Sequence, residues 1–179
     1  KPILSCAEGI YRSTNPGNLC WQEQADLYTR DVLHGLSYGY ARIGPACVED
    51  VGAGYYYSNW GGSGLFTRHP DVYPKLSYVA LAVAGHVLSD ANFVRAHPTG
   101  SHSLYCFEFT RRRGDRLVSA WTLRGRRPLT LKGRFSAALR LLDQEGNALP
   151  VEDEAGKVSF EVGMDPVYLL GVEQCEALT

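Results

Sequence analysis

A glutamate near the start of the sequence stands where a catalytic carboxylate is often found. Glu8 directly follows the apolar run of residues 2–7 (PILSCA), which has the length and composition of a strand buried on both faces. Gly9 comes next and gives the backbone room to turn away. In β/α barrels the ends of such strands direct functional side chains into one shared cleft. Glu8 is therefore a candidate catalytic residue, and the alternative is an ion pair with Lys1 or Arg42.

A second group of candidates lies in a long loop, residues 47–66, which is rich in glycine and aromatic residues. A loop of this length without periodicity of its own is usually functional or disordered, and its aromatic content argues against disorder. Aromatic faces and hydroxyl groups suit the apolar faces and the rims of sugar rings, and a carboxylate among aromatics fits glycoside hydrolysis. The candidate substrate-binding residues are Trp60, Tyr56, Glu49 and Asp50.

The elements that must position these residues follow from hydrophobic periodicity. The first half predicts a strand over residues 1–7, a helix over 22–36, a strand over 41–46 and a helix over 74–88. This strand–helix alternation is typical of parallel β/α units. Two parallel strands alone lack cover on their faces and partners at their edges. We therefore expect either that the second half of the chain packs against them, or that further strands come from another chain or from an upstream segment.

The second half has a different pattern. Short strand candidates are separated at regular intervals by turn signals, one of which is Gly133. The candidates are residues 103–111, 116–124, 128–132, 137–142, 158–162 and 167–172. Such a series predicts an antiparallel sandwich or barrel. We therefore expect two domains, a partial β/α segment over residues 1–92 and a β-sandwich over 93–179.

Composition excludes several classes of protein. The chain has 179 residues, is 45% hydrophobic and 21% charged, and carries a formal net charge of −1. These values are typical of a folded globular chain, and the charge favours neither nucleic acid nor a membrane surface as partner. No apolar run reaches the length of a membrane span. The sequence begins at Lys1 without a visible signal peptide, so we expect it to start within something longer.

One segment departs from this even balance. Residues 111–134 hold nine Lys and Arg residues against one acid, Asp115. Such a patch binds nucleic acid in some proteins, and that function would show a steep salt dependence. The pattern favours an arrangement in which these basic residues lie on the solvated face of a hairpin. The acidic residues within the segment 143–176 would then offset their charge. We therefore expect no nucleic-acid partner.

The cysteines and histidines do not form a recognisable metal motif. The five cysteines lack a C-x-x-C pair, and the five histidines lack metal-ligand spacing. We expect mainly buried thiols, with a single disulfide between Cys6 and Cys20 as the alternative. The sequence predicts no metal and no cofactor.

Several motifs together resemble clan A retaining glycoside hydrolases. Residues 1–9 (KPILSCAEG) resemble the seventh barrel strand of that clan, which usually ends in Thr-Glu-x-Gly. Residues 22–40 resemble the following helix, and residues 73–80 (YPKLSYVA) resemble the later Lys-Pro-Ala-Tyr motif. The C-terminal β-sandwich of these enzymes is matched by residues 118–121 (VSAW), 142–147 (LDQEGN) and 166–171 (PVYLLG). The order and spacing of the motifs cover nearly the whole chain.

The resemblance implies a fold and an activity. The fold is the last two β/α units of a TIM-type barrel followed by an antiparallel β-sandwich. Glu8 would be the nucleophile of a retaining β-glycosidase, while the acid/base would come from an upstream barrel segment or a partner chain. Glu49 and Asp50 do not match the acid/base position. The alternative is a non-catalytic carbohydrate-binding or structural β-sandwich module.

Overall fold

A computed structural model describes residues 2–8, 19–45, 47–51, 61–112 and 114–178, with only the backbone described for residues 6–8. The chain divides into two compact units, Lys1–Gly85 and His86–Thr179. No helix in the described ranges is both long and apolar enough to cross a membrane.

The first unit contains the predicted alternation of strands and helices. Its elements are β1 (Ile3–Glu8), α1 (Trp21–Ser37), β2 (Tyr40–Pro45) and α2 (Leu76–Val87). The two strands pair in parallel, with Ile3 opposite Tyr40 and Glu8 opposite Pro45. Each predicted element is present with its ends shifted by two residues or fewer. The mixed α/β architecture of this unit is therefore confirmed, while the described ranges contain a two-stranded parallel sheet rather than a barrel.

Helix α1 begins with a capping box. The thiol of Cys20 accepts a hydrogen bond from the backbone N–H of Glu23, and the Glu23 carboxylate accepts one from the backbone N–H of Cys20. These two bonds satisfy N–H groups that lack partners within the helix. Cys20 carries a free thiol, so the disulfide between Cys6 and Cys20 is not formed. Cys106 and Cys175 are buried free thiols, as expected for most of the cysteines.

The small parallel sheet leaves apolar surface in water. Ile3 is 52% exposed and Leu4 is 59% exposed, although both belong to the apolar run that forms β1. Parallel strands are normally covered on both faces, since the helices that connect them pack there. The exposure of β1 therefore marks a sheet without the cover that such a strand normally has.

The second unit is a seven-stranded antiparallel sheet. Its strands are β3 (Asn92–Ala96), β4 (Leu104–Thr110), β5 (Arg116–Thr122), β6 (Arg127–Leu142), β7 (Ala148–Leu149), β8 (Lys157–Val162) and β9 (Val167–Leu178). The order is β3-β4-β5-β9-β6-β7, with β8 paired to β6. The antiparallel prediction is confirmed. Strands β3 and β7 were not predicted, and β9 runs six residues beyond its predicted end.

This sheet folds over so that distant strands share one core. Strands β4 and β8 are four strand spacings apart, which is about 19 Å in a flat sheet. Nevertheless Cys106 of β4 and Phe160 of β8 belong to the same buried cluster. The backbone N–H of Thr122 also donates to the carbonyl of Gly163, with N and O 2.7 Å apart. The two halves of one continuous sheet therefore face each other, whereas two separate sheets were expected.

The prediction of a turn at Gly133 was wrong, because β6 continues through it. Gly133 pairs with Cys175 of β9, and a Cβ atom at this position would lie 1.9 Å from the carbonyl oxygen of Gln174. The glycine therefore permits a close approach between two strands rather than a reversal of the chain. Register irregularities between Arg134 and Arg140 bend the long strand instead.

We expect Gly133→Ala to destabilise the second unit by about 3 kcal/mol, since the added methyl group would force two backbones apart. Chemical denaturation followed by circular dichroism measures this loss. Gly44→Ala is the matched control, because Gly44 also lies in a strand, where an added methyl group would meet no described atom within 4 Å. Equal stability of the two variants would contradict the close approach at Gly133.

Candidate functional site

The candidate site is built on the carboxyl-terminal ends of the two parallel strands. Glu8 is the last residue of β1 and lies opposite Pro45, the last residue of β2. Strands that end at the same level present their following residues at the same edge of a sheet. The backbone therefore places Glu8 at the edge from which the chain leaves β2 toward residues 47–66.

Glu49 lies just after β2 on a half-buried position. Its Oε1 accepts a hydrogen bond from the backbone N–H of His69 at 3.2 Å. The Nε2 of the exposed His69 ring lies 3.8 Å from the same oxygen. The side chain of Glu49 is 39% exposed, so its carboxylate remains accessible to a polar ligand.

Asp50 has a different environment from its neighbour. Asp50 is 5% exposed. Its Oδ1 accepts hydrogen bonds from Lys75 Nζ at 2.6 Å and from the backbone N–H of Gly64 at 2.9 Å. Lys75 is fully buried, and its Nζ also donates to the carbonyl oxygen of Gly62 at 3.1 Å. The two predicted acids therefore diverge, with Glu49 near solvent and Asp50 in a buried ion pair.

Two side chains of α1 hold the same stretch of backbone. Gln24 Nε2 donates to the carbonyl of Gly62 at 3.0 Å, and Tyr28 Oη donates to the carbonyl of Ser63 at 2.5 Å. Both side chains are buried. We call the four side chains that hold residues 62–64 the loop clasp; they are Gln24, Tyr28, Asp50 and Lys75.

The loop clasp lies where the two ends of the long loop meet. The backbone N–H of Asp50 donates to the carbonyl of Phe66 at 2.9 Å, and Leu65 donates to the carbonyl of Val48 at the same distance. Tyr56 and Trp60, the two aromatic candidates, lie outside the described residues. The structure therefore describes the two ends of the loop, residues 47–51 and 61–66.

The electrostatics of the loop clasp depend on one pair. Burial lowers the pKa of Lys75, and the hydrogen bond and charge of Asp50 offset part of that effect. An ammonium group removed from water is retained only with a close partner. Asp50 supplies that partner, so Lys75 and Asp50 depend on each other.

The first unit also contains an apolar cavity of about 320 Å³. Side chains of α1, β2 and α2 line it, among them Tyr28, Ile43 and Tyr78. Asp31 is the one carboxylate in its described lining. Such a lining suits apolar groups rather than sugar hydroxyls, so this cavity does not account for the predicted chemistry.

The second unit contains a buried cluster of ionisable groups that the sequence did not predict. A ring nitrogen of His97, a carboxylate oxygen of Glu108 and the Sγ of Cys175 lie within 4.8 Å of one another. Arg95 Nε donates to Glu108 Oε2 at 2.8 Å, and Arg116 Nη1 donates to Glu108 Oε1. His97 Nε2 lies 3.1 Å from Glu108 Oε2.

The charges of this cluster oppose a cation. Burial raises the pKa of the Cys175 thiol to about 12, which disfavours the thiolate that a metal requires. Burial raises the pKa of Glu108, but the hydrogen bonds from Arg95 and Arg116 outweigh it and hold the pKa below its ordinary value. One carboxylate thus meets two guanidinium groups, and the cluster contains an ion-pair network centred on Glu108.

Several solved structures contain a fold similar to that of this chain. A family 39 glycoside hydrolase from the gut symbiont Bacteroides cellulosilyticus WH2 matches 88% of the chain with a TM-score of 0.73 and 22% identity. The catalytic domain of GH30 xylanase C from Talaromyces cellulolyticus matches 95% with a TM-score of 0.62 and 11% identity. The fold of the chain is similar to part of the fold of each of these two glycoside hydrolases. The chain covers 32% and 38% of the lengths of these two structures.

The comparisons with protein families and with curated proteins found no match. A third solved structure, SrfJ from Salmonella typhimurium, matches 97% of the chain with a TM-score of 0.58 and 12% identity. The chain covers 36% of its length. Since all these identities are low, the similarity concerns the fold.

Sequence reasoning missed the residues of the loop clasp other than Asp50. Lys75 belongs to the motif of residues 73–80, but the motif alone indicates no role for it. Its partner Asp50 is 25 residues away, and the helix residue Gln24 is 51 residues away. The available signal was a lysine directly before an apolar helix.

Proposed function

We propose that the chain is the C-terminal portion of a retaining glycoside hydrolase that cleaves O-glycosidic bonds, with Glu8 as its nucleophile. The supporting observation is the position of Glu8 as the last residue of a parallel strand, level with the end of the neighbouring strand, in a chain with a glycosidase-related fold. Strand ends of this kind carry the catalytic groups of β/α-barrel enzymes.

In this function Glu8 attacks the anomeric carbon of the substrate. The bond to the leaving oxygen breaks, and a second carboxyl group gives that oxygen a proton. The resulting glycosyl-enzyme is then hydrolysed by a water molecule, from which the second carboxylate takes a proton. Retaining chemistry requires the two carboxyl groups about 5 Å apart.

We propose that an upstream barrel segment or a partner chain supplies the second carboxyl group. The exposure of Ile3 and Leu4 supports this, because the strands and helices of a larger barrel would cover them. The share of the solved structures that the chain covers, about a third, is consistent with a larger barrel.

The long loop would bind the sugar. Trp60 and Tyr56 would stack on or hydrogen bond to the ring, and the accessible carboxylate of Glu49 would accept hydrogen bonds from its hydroxyl groups. Asp50 was expected to bind substrate directly. Its burial and its bonds to Lys75 and Gly64 favour an indirect role, in which it holds the base of the loop.

Covalent trapping tests the proposed function. The active protein would be incubated with 2,4-dinitrophenyl 2-deoxy-2-fluoro-β-xyloside and with the corresponding glucoside. The electron-withdrawing fluorine slows hydrolysis of the intermediate, while dinitrophenolate leaves readily. We expect mass spectrometry to find a fluoroglycosyl adduct on the peptide that contains Glu8, and no adduct in Glu8→Gln.

A label on a different carboxylate, with Glu8 unmodified, would refute the assignment. Complete absence of labelling, together with saturable binding of xylo- or gluco-oligosaccharides, would favour the second candidate, a non-catalytic carbohydrate-binding or structural module. One observation favours that candidate. The second unit has its own buried core, as a structural or binding module has, and such a module functions without a catalytic residue.

A further inference from the structure

We propose that four residues of the second unit form an acid-sensitive latch, which holds the edge strand β3 to β9 and opens when His97 takes up a proton. We call them the β3 latch; they are Arg95, His97, Glu108 and Cys175. All four belong to the second unit. The latch would therefore operate whatever reaction the chain catalyses.

Strand β3 has little packing of its own to hold it in place. It lies at the end of the sheet order, and β4 is its one partner among the described strands. Four of its five residues are exposed, and its register with β4 is irregular between Phe93 and Arg95. A strand with so few buried contacts opens easily. Its attachment therefore depends on further contacts.

Those contacts reach β9. Arg95 Nη2 donates to the carbonyl oxygen of Cys175 at 2.8 Å, and His97 Nε2 lies 3.8 Å from the Sγ of Cys175. In the sheet order β3 and β9 are three strand spacings apart, which is about 14 Å in a flat sheet. Cys175 itself pairs with Gly133 of β6. The latch therefore joins the edge of one half of the folded sheet to the facing half.

Glu108 determines the state of His97 within the latch. Its Oε2 accepts a hydrogen bond from Arg95 Nε at 2.8 Å and lies 3.1 Å from His97 Nε2. Because a carboxylate only accepts hydrogen bonds, we assign the hydrogen of the neutral ring to Nε2. The His97 side chain is 1% exposed. A second proton on the ring would therefore place a charge in a site that water does not reach.

The surrounding charges oppose that second proton. Burial lowers the pKa of His97, the charge of Arg95 lowers it further, and the charges of Glu108 and Glu176 offset part of the effect. The two nearby thiols stay protonated, since burial raises the pKa of each. The titratable and charged groups around His97 and Glu108 are Arg95 on β3, Cys106 on β4, Arg116 on β5, and Cys175 and Glu176 on β9.

The lowered pKa gives the latch its direction. Once β3 is released, the ring regains the ordinary histidine pKa of 6.5, so the open state binds more protons than the closed one as the pH falls below that value. Opening is therefore favoured from about pH 6.5 down to the pKa of the closed state. It would uncover the edge of β4, whose backbone N–H and C=O groups could then pair with another chain.

Hydrogen exchange of the full chain at pH 7 and pH 5, corrected for the intrinsic exchange rates, tests this proposal. We expect the protection of residues 92–97 to fall about tenfold at pH 5, because opening takes up one proton. In His97→Gln the amide can still donate to Glu108 but does not titrate, so we expect a change of less than about twofold. His102→Gln is the matched control, because His102 is an exposed histidine of the same unit and its loss should leave the tenfold change intact.

Two results would overturn the latch. One is a protection of residues 92–97 that depends on pH to the same extent in wild type and in His97→Gln. The other is equal protection of residues 92–97 and of β8, residues 157–162, at pH 5. Equality would mean that β3 opens only when the whole unit unfolds, whereas we expect β3 to be at least tenfold less protected than β8.

Nuclear magnetic resonance of the wild-type chain covers the case in which His97→Gln does not fold. We expect the ring of His97 to titrate below pH 6.5 and its nitrogen shifts to show the hydrogen on Nε2 at pH 7. Titration at or above pH 6.5, or a neutral ring with its hydrogen on Nδ1, would refute the role of His97.

Discussion

Replacement of Glu8 by Gln is expected to lower kcat by at least about 10⁴-fold, because an amide cannot form the glycosyl-enzyme intermediate. KM should change far less, since the residues proposed to bind the sugar remain. Initial rates on 4-nitrophenyl β-xyloside and β-glucoside measure the loss. Glu49→Gln is the comparison, because Glu49 is an accessible acid beside the same sheet edge, and its loss should raise KM without abolishing turnover.

Chemical rescue separates a nucleophile from an acid/base. In Glu8→Ala, added azide should restore turnover by attacking the anomeric carbon in place of the missing carboxylate, and the product should be an α-glycosyl azide. Loss of an acid/base would give the β-anomer instead. Turnover that is unaffected by Glu8→Gln, or rescue that yields the β-azide, would contradict the nucleophile assignment.

The second large effect concerns stability rather than activity. We expect Glu108→Gln to destabilise the second unit by about 3 kcal/mol, because it leaves the guanidinium groups of Arg95 and Arg116 without their shared carboxylate. The loss stays near the lower end of the range for buried pairs, since both arginine side chains are more than a third exposed. Urea denaturation measures it. Asp115→Asn, which breaks an exposed ion pair with Arg111, should cost less than about 1 kcal/mol.

The pH dependence gives this prediction a sign. The pKa of Glu108 is lower in the folded chain than its ordinary value of 4.5, so its contribution is present above about pH 5 and disappears as the pH falls through the folded pKa. The difference in stability between wild type and Glu108→Gln should therefore shrink as the pH falls below 4.5. A difference that grows at low pH would contradict the ion-pair network.

Local patterns in the sequence predicted most elements of the fold. The periodicity of residues 22–36 and the apolar run of residues 2–7 identified α1 and β1, because both signals are patterns of neighbouring residues. Gly133 gave a wrong turn prediction, because a glycine that ends a strand and one that allows two strands to approach look alike in sequence.

Within the candidate site, the sequence could single out a residue only where the residue and its immediate neighbours form a recognisable pattern. Glu8 could be singled out because the strand end and the following glycine are contiguous with it. The pairing of Lys75 with Asp50, and that of Glu108 with Arg95, depend on long-range packing. No local pattern shows which buried charge meets which partner, so these interactions became visible only in the folded chain.

The position of β9 constrains how the second unit can be made. This strand is the last of the described strands in sequence, yet it lies between β5 and β6 in the middle of the sheet. During synthesis on a ribosome, the hairpin of β4 and β5 and the strands around β6 emerge first, but they have no common partner until residues 167–178 leave the exit tunnel. The unit can therefore close only after β9 has emerged, and until then chaperones would meet two unjoined halves of a sheet with open edges.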